Sequence, residues 1–159
     1  MKKKRTSTFI KKTDSGKENI INKYKNNRIY KSYLNSIKYL KRCLASLKKG
    51  IRDNSFEVII VDNNSKDGSI SYLENFTKFK IKLIKNKFNS GYTKAMNQAL
   101  KISSGEHILV LNPDSILQDK SIDELLRHSR RNKKIGVIGP KVIDESGNFQ
   151  ASCRRGVAT

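Results

Sequence analysis

The feature that most constrains this chain is a repeated switch of period along its length. Short β-branched apolar runs alternate with segments whose apolar residues recur every three or four positions. The run 56-FEVIIVD-62 is continuous and apolar, the pattern of a strand covered on both faces. It ends in an acid and the polar turn 62-DNNSKDGS-69. A short helix is predicted over 69–76, then a strand over 79-FKIKLIK-85 and a turn, 86-NKFNSG-91. The next helix carries Tyr92, Ala95, Met96, Ala99 and Leu100. A further strand, 107-HILVL-111, is halted by Pro113 within 112-NPDS-115. A helix over 119–131, a strand at 135-IGVIG-139 and a hairpin around 144-DESGN-148 complete the series. Upstream, Ile37, Leu40, Leu44 and Leu47 share helical spacing, with Asn35 or Ser36 as cap and Gly50 as stop. Cys43 reads as a small buried residue of that helix, not as a nucleophile. Strand and helix in alternation specify an α/β fold, a mostly parallel sheet with helices on both faces. Right-handed crossovers then bring the carboxyl ends of the strands to one edge, where such sheets bind ligands.

Composition narrows the function classes. The longest apolar runs, 58-VIIV-61 and 108-ILVL-111, are far shorter than the roughly 20 residues of a membrane-spanning helix. Two cysteines, Cys43 and Cys153, do not make a disulfide scaffold. The start MKKKRTSTFIKK has the charge of a secretory signal but not its apolar stretch. The formal net charge is +20, and residues 1–50 hold 16 of the 34 basic residues against 2 of the 14 acids. Residues 1–26 therefore read as a basic arm unable to fold alone, and 27–159 as one domain. An arm of this kind suits an anionic membrane surface or nucleic acid. It lacks aromatics spaced as a platform for bases, and no motif of a specific nucleic-acid reader is present. The abundance of Lys, Asn and Ile also matches a simple bias toward A/T-rich codons.

Two strands end in acids on the same predicted edge, Asp62 after VIIV and Asp114 past ILVL. Each could cap the helix that follows it. Two carboxylates facing one crevice repel each other unless a cation or a hydrogen-bond donor joins them. Mg²⁺ takes one or two carboxylates, several waters and phosphate oxygens, and Asp114 exposed by a proline turn suits that role. Asn89, Ser90 and Gly91 form a small turn before a helix, whose N–H groups could meet phosphate or sugar hydroxyls. Asn97 lies two turns into that helix.

Three stretches resemble the family 2 glycosyltransferases of GT-A fold: 57-EVIIVDNNSKDGS-69, 89-NSGYTKAMNQALKISSGEHILVLNPDS-115 and 139-GPKVIDESGNFQASCRR-155. The helix 38-KYLKRCLASL-47 is similar to the family's first helix, and NPD in place of DxD resembles its rhamnosyltransferase-like branch. The resemblance implies a UDP- or dTDP-sugar donor, a divalent metal (Mg²⁺ or Mn²⁺) and inverting transfer to a polysaccharide or glycolipid acceptor. It places Asp62, Asn64, Asn89, Gly91, Asn97 and Asn112 around the nucleotide-sugar and Asp114 at the metal. The matching first strand, 28-RIYKSYLNS-36, is interrupted by Lys31 and Ser32 where the family is β-branched.

The resemblance also implies that the acceptor half, with its catalytic carboxylate, follows the point where this sequence ends. Asp144 and Glu145 read as turn residues, His107 and His128 lack a catalytic partner, and Arg154 and Arg155 read as solvated. No catalytic base is therefore assigned. The expectation is the donor-binding part of a transferase, either an active metal-dependent enzyme or a non-catalytic sugar-nucleotide-binding fragment or decayed copy of one. A cytoplasmic setting is expected, with peripheral contact at the inner membrane surface through the cationic arm and lipid-linked acceptors.

Overall fold

A computed structural model describes residues 9–12, 27–33 and 37–150. Ten elements follow in order: β1 (Phe9–Lys12), β2 (Asn27–Tyr33), α1 (Ile37–Gly50), β3 (Phe56–Asp62), α2 (Ser69–Glu74), β4 (Ile81–Lys85), α3 (Tyr92–Lys101), β5 (His107–Val110), α4 (Ser121–Arg131) and β6 (Val137–Ile138). They form one sheet of order β4-β3-β2-β5-β1-β6. The strands β2 to β5 are mutually parallel, with Ile29 opposite both Val58 and Leu109. The expected α/β architecture is observed, and the carboxyl ends of β3 and β5 lie on one edge with β2 between them.

The apolar run of β3 sits in the middle of this arrangement because both of its faces are covered. Val58 and Ile60 pack with Leu40, Leu44 and Leu47 of α1 and with Ile122 and Leu126 of α4. Ile59 and Val61, one position out of phase, pack with Ala95, Met96 and Ala99 of α3. Strand period 2 thus splits one tetrapeptide between two cores. Cys43 is fully buried in the first of them, as its helical position requires.

Two expectations change. The segment read as a basic arm contains β1, which pairs antiparallel with β5 on one side and β6 on the other. Backbone hydrogen bonding supplies the reason: β5 would otherwise present an unpaired edge beside β2, and a four-residue strand satisfies its N–H and C=O groups whatever the local charge. The rest of residues 1–26 lies outside the described residues, as do the cap candidates Asn35 and Ser36 and the C-terminal Cys153, Arg154 and Arg155. Lys31 and Ser32 do not interrupt the first parallel strand; they pair in register with Ile60 and Val61, and β2 runs on to Tyr33.

The helices and strands after residue 56 fall within a few residues of their predicted bounds, with α2 ending at Glu74 and β6 reduced to two residues. The hairpin around 144–148 is present: Asp144 and Asn148 share a backbone bond of 2.9 Å, and Ile143 bridges Phe149.

Candidate functional site

The loop after β5 is held by a stripe of small residues on α1. The Cys43 thiol lies 3.6 Å from the Asn112 carbonyl. Ser46 accepts the Leu117 N–H at 3.0 Å and donates to the Cys43 carbonyl at 2.8 Å. Gly50 lies so close to Leu117 that a Cβ there would sit 2.5 Å from the Leu117 Cβ. Positions 43, 46 and 50 share one helical face. Their smallness lets 112-NPDSIL-117 lie flat along the helix, which fixes where Asp114 leaves the sheet edge.

The rim beside β3 is a polar network. Asp62 is fully buried; one carboxylate oxygen accepts the Ser65 N–H at 2.9 Å, and the other has no hydrogen-bond partner among the described residues. Asn64, two residues on, is held at φ 70°, a left-handed backbone that Asn tolerates better than most residues. Asn86, just past β4, donates to Asn63 at 2.8 Å and exchanges two 2.9 Å bonds with Gln98 of α3. Ser90 donates to the same Asn63 oxygen at 3.1 Å. Asn89 accepts the Gly91 N–H at 3.0 Å, and Gly91 caps α3 at φ 83° and ψ 163°, a conformation open to glycine alone. The β3–α2 loop, the β4–α3 loop and helix α3 are thereby locked together.

Asp62, Asn64, Asn89 and Gly91 thus share one rim, while Asn97 is exposed on α3 with no described bond to the network. Its neighbour Gln98 makes the contacts instead. Asn63, Asn86 and Gln98 were not singled out in the sequence; the amide spacing 86–98 carries no periodic signal, because it joins a strand end to a helix.

Asp114 and Asn112 lie beyond β5, two strands from Asp62, so their strand ends are separated by roughly 10 Å. Asp114 lines a cleft of about 520 Å³ between α1, residues 114–122 and the hairpin 140–150. Asp62 does not line it. One Asp114 carboxylate oxygen is buried without a hydrogen-bond partner among the described residues. A hard divalent cation fits that orphaned oxygen, provided that phosphates and waters complete its shell. No cluster of three or more His, Cys, Asp or Glu exists among the described residues, so a cation held by side chains alone has no place here.

Two further carboxylates brace this frame. Asp67 accepts the Ile37 N–H at 2.8 Å and the Ser69 hydroxyl at 2.5 Å, tying the starts of α1 and α2 together. Desolvation pushes its carboxyl up, but hydrogen bonds from the Ser69 hydroxyl, the Ile37 N–H and the Ser69 N–H outweigh it and hold the group below the ordinary carboxylate range. Buried Asp123 of α4 accepts Arg52 N–H at 2.7 Å and the Asn54 amide at 2.5 Å, on the opposite edge of the sheet. Tyr92, at the start of α3, has its phenol pushed up by desolvation.

Residues 32–155 match the family described as glycosyl transferase family 2. An uncharacterized glycosyltransferase of Haemophilus influenzae is 27% identical over 107 residues, covering 66% of this chain and 33% of the relative. The poly(ribitol-phosphate) beta-N-acetylglucosaminyltransferase TarP of Staphylococcus aureus is 29% identical over 126 residues, covering 69% of this chain and 38% of the relative. Among solved structures, S. aureus TarS 1-349 in complex with UDP-GlcNAc aligns with a TM-score of 0.62 at 27% identity, covering 68% of this chain and 32% of that one. The chain spans about a third of the length of these relatives.

Proposed function

The chain belongs to glycosyl transferase family 2 and has its GT-A fold, and from that premise we propose that its carboxyl edge binds a nucleoside-diphosphate sugar for transfer to a saccharide or lipid-linked hydroxyl. The observation that carries this reading is the pair Asp62 and Asp114. They leave two strands that flank β2, and each keeps one buried carboxylate oxygen without a partner among the described residues. A buried acceptor left open is costly, about 1–3 kcal/mol, unless a ligand satisfies it.

In this reading the open oxygen of Asp62 accepts a hydrogen bond from the nucleoside, and the rigid turn of Asn64 shapes the floor beside it. The turn of Asn89 and Gly91 at the start of α3 faces the sugar-phosphate side, with Asn97 and Asn112 contributing amides. Asp114 would hold a divalent cation, which when bound neutralises the diphosphate as it leaves. Inversion at the anomeric carbon requires an acceptor hydroxyl to approach opposite the diphosphate, and a base within hydrogen-bond reach of that hydroxyl. A UDP-sugar is the favoured donor, because the aligned TarS structure holds UDP-GlcNAc; a dTDP-sugar is the alternative.

Since the chain spans about a third of its relatives' length, donor binding and complete transfer are separate proposals. Titration calorimetry with UDP-GlcNAc, with and without Mn²⁺, tests the first. Metal-enhanced binding is expected, with Asp114→Ala losing the enhancement and Asp62→Asn weakening binding at least tenfold. Binding that ignores both substitutions would remove the assigned roles. Donor turnover in the presence of acceptor tests the second, and binding without turnover selects the non-catalytic module. The setting proposed is the cytoplasmic face of a membrane, with the basic N-terminal residues on anionic lipid. Flotation with liposomes should then favour anionic over neutral vesicles.

A further inference from the structure

The amide network beside β3 joins the two places between which a nucleoside-diphosphate sugar is proposed to lie. Asn86 is its hub. The Asn86 backbone N–H donates to the Asp62 carbonyl at 2.8 Å, at the end of β3. Its side-chain nitrogen reaches Asn63 Oδ1 at 2.8 Å, Gln98 Oε1 at 2.9 Å and Ser90 Oγ at 3.2 Å. Its side-chain oxygen accepts Gln98 Nε2 at 2.9 Å. Ser90 donates to the same Asn63 oxygen at 3.1 Å, and Asn63 Nδ2 lies 3.5 Å from the Gly91 carbonyl oxygen. A continuous run of contacts therefore leads from Asp62 and Asn63, through Asn86, to the turn that starts α3 and to the helix itself.

The chemistry of these groups sets what they can do. Both hydrogens of the Asn86 amide and both lone pairs of Asn63 Oδ1 are committed to neighbours. None of the four side chains is charged, so none offsets the charge of a diphosphate. What they fix is a distance. Bonds between neutral side chains of two loops and a helix hold those elements at one separation. Binding groups held at one separation spare a ligand that spans them the cost of ordering the site. We propose that Asn86 and Gln98 are positioning residues that couple the nucleoside half of the donor site, at Asp62, to the sugar-phosphate half, at the Asn89–Gly91 turn. A donor that spans both halves is then bound as one unit. This inference rests on the donor reading above and adds the residues that set its spacing.

Coupling leaves a signature that a loss of stability does not. A ligand spanning both halves loses affinity when the spacing is released, whereas a ligand touching one half does not. Uridine is the half ligand and UDP-GlcNAc the whole one. Gln98→Met keeps the length and helix preference of the side chain and removes both bonds to Asn86. Gln98→Glu keeps an oxygen that accepts from Asn86. The experiment titrates the isotope-labelled full chain with uridine and with UDP-GlcNAc in Mg²⁺, well below the melting midpoint of each variant, and compares the two affinities. Gln98→Met is expected to weaken UDP-GlcNAc by about fivefold to tenfold and uridine by less than about twofold, with Gln98→Glu between it and the parent. Equal changes for the two ligands, or no change in either, would overturn the proposal, because a purely structural role scales both alike. Should Gln98→Met fail to fold, Gln98→Glu carries the same comparison. A parent chain that binds neither ligand removes the donor reading and this inference with it. A parent that binds both, with the same affinity ratio in the variants, removes the positioning role alone.

Discussion

The two sides of the carboxyl edge differ in how their polar groups are satisfied. Beside β3 and β4, Asn63, Asn86, Ser90 and Gln98 spend their hydrogen bonds on one another. Beside β5, Ser115, Ser121 and Asp114 leave oxygens open inside a cleft. A closed amide network fixes the shape of two loops against α3, and its members act as positioning residues. Oxygens buried without a partner contribute no hydrogen bond to the fold. Stability and direct binding are therefore expected to separate between the closed network and the open oxygens, with Asp62, beside β3, among the latter.

The largest test of that separation is Asn86→Ala. It strips partners from Asn63 and Gln98 at once, so a loss of about 2–3 kcal/mol is expected. For a domain of this size that lowers the melting temperature by roughly 5–10 °C. Chemical denaturation checks it, and a loss below that of Ser115→Ala or Ser121→Ala, which remove hydroxyls with no partner among the described residues, would break the contrast.

Asp67 gives an intermediate effect with a pH signature. Its folded pKa is depressed, so the stability it contributes is present above the unfolded carboxylate pKa, near 4, and is lost as pH falls through the folded value. Asp67→Ala should cost about 1 kcal/mol at neutral pH, as for other lost helix caps, and the gap from the parent should close in acid. Melting curves across pH 2 to 7 read this directly. A gap that is constant with pH would show that the carboxylate charge is irrelevant there.

The smallest effect belongs to the mouth of the cleft. Arg42 and Glu145 are 50% and 88% exposed, and their pair joins α1 to the hairpin. Arg42→Ala should change stability by less than about 0.5 kcal/mol, because exposed ion pairs gain little in water. A larger loss would show that the hairpin depends on this pair, and would make the cleft a rigid part of the fold.

Much of the frame was readable from residues alone. VIIV and ILVL announced buried parallel strands, and the acids that end them fell on one edge because parallel strands share a direction. The four-residue β1 was not readable, since a short pairing inside a lysine-rich segment leaves no period. Asn89 and Gly91 were visible as a turn before a helix. Gln98 was not, because its partner Asn86 belongs to a different element and only the closing of the sheet brings them to 2.9 Å.

Sequence by itself determined the class of fold, the two cores of β3 and the edge on which chemistry can occur. These depend on local period and on the direction of crossovers, which are properties of successive residues. Tertiary structure decided which polar atoms are satisfied. Whether Asn86 finds Gln98, or Ser121 finds no partner among the described residues, depends on elements far apart in the chain. Hydrogen bonds act only at contact distance, so that division between scaffold and open site exists only once the chain has folded.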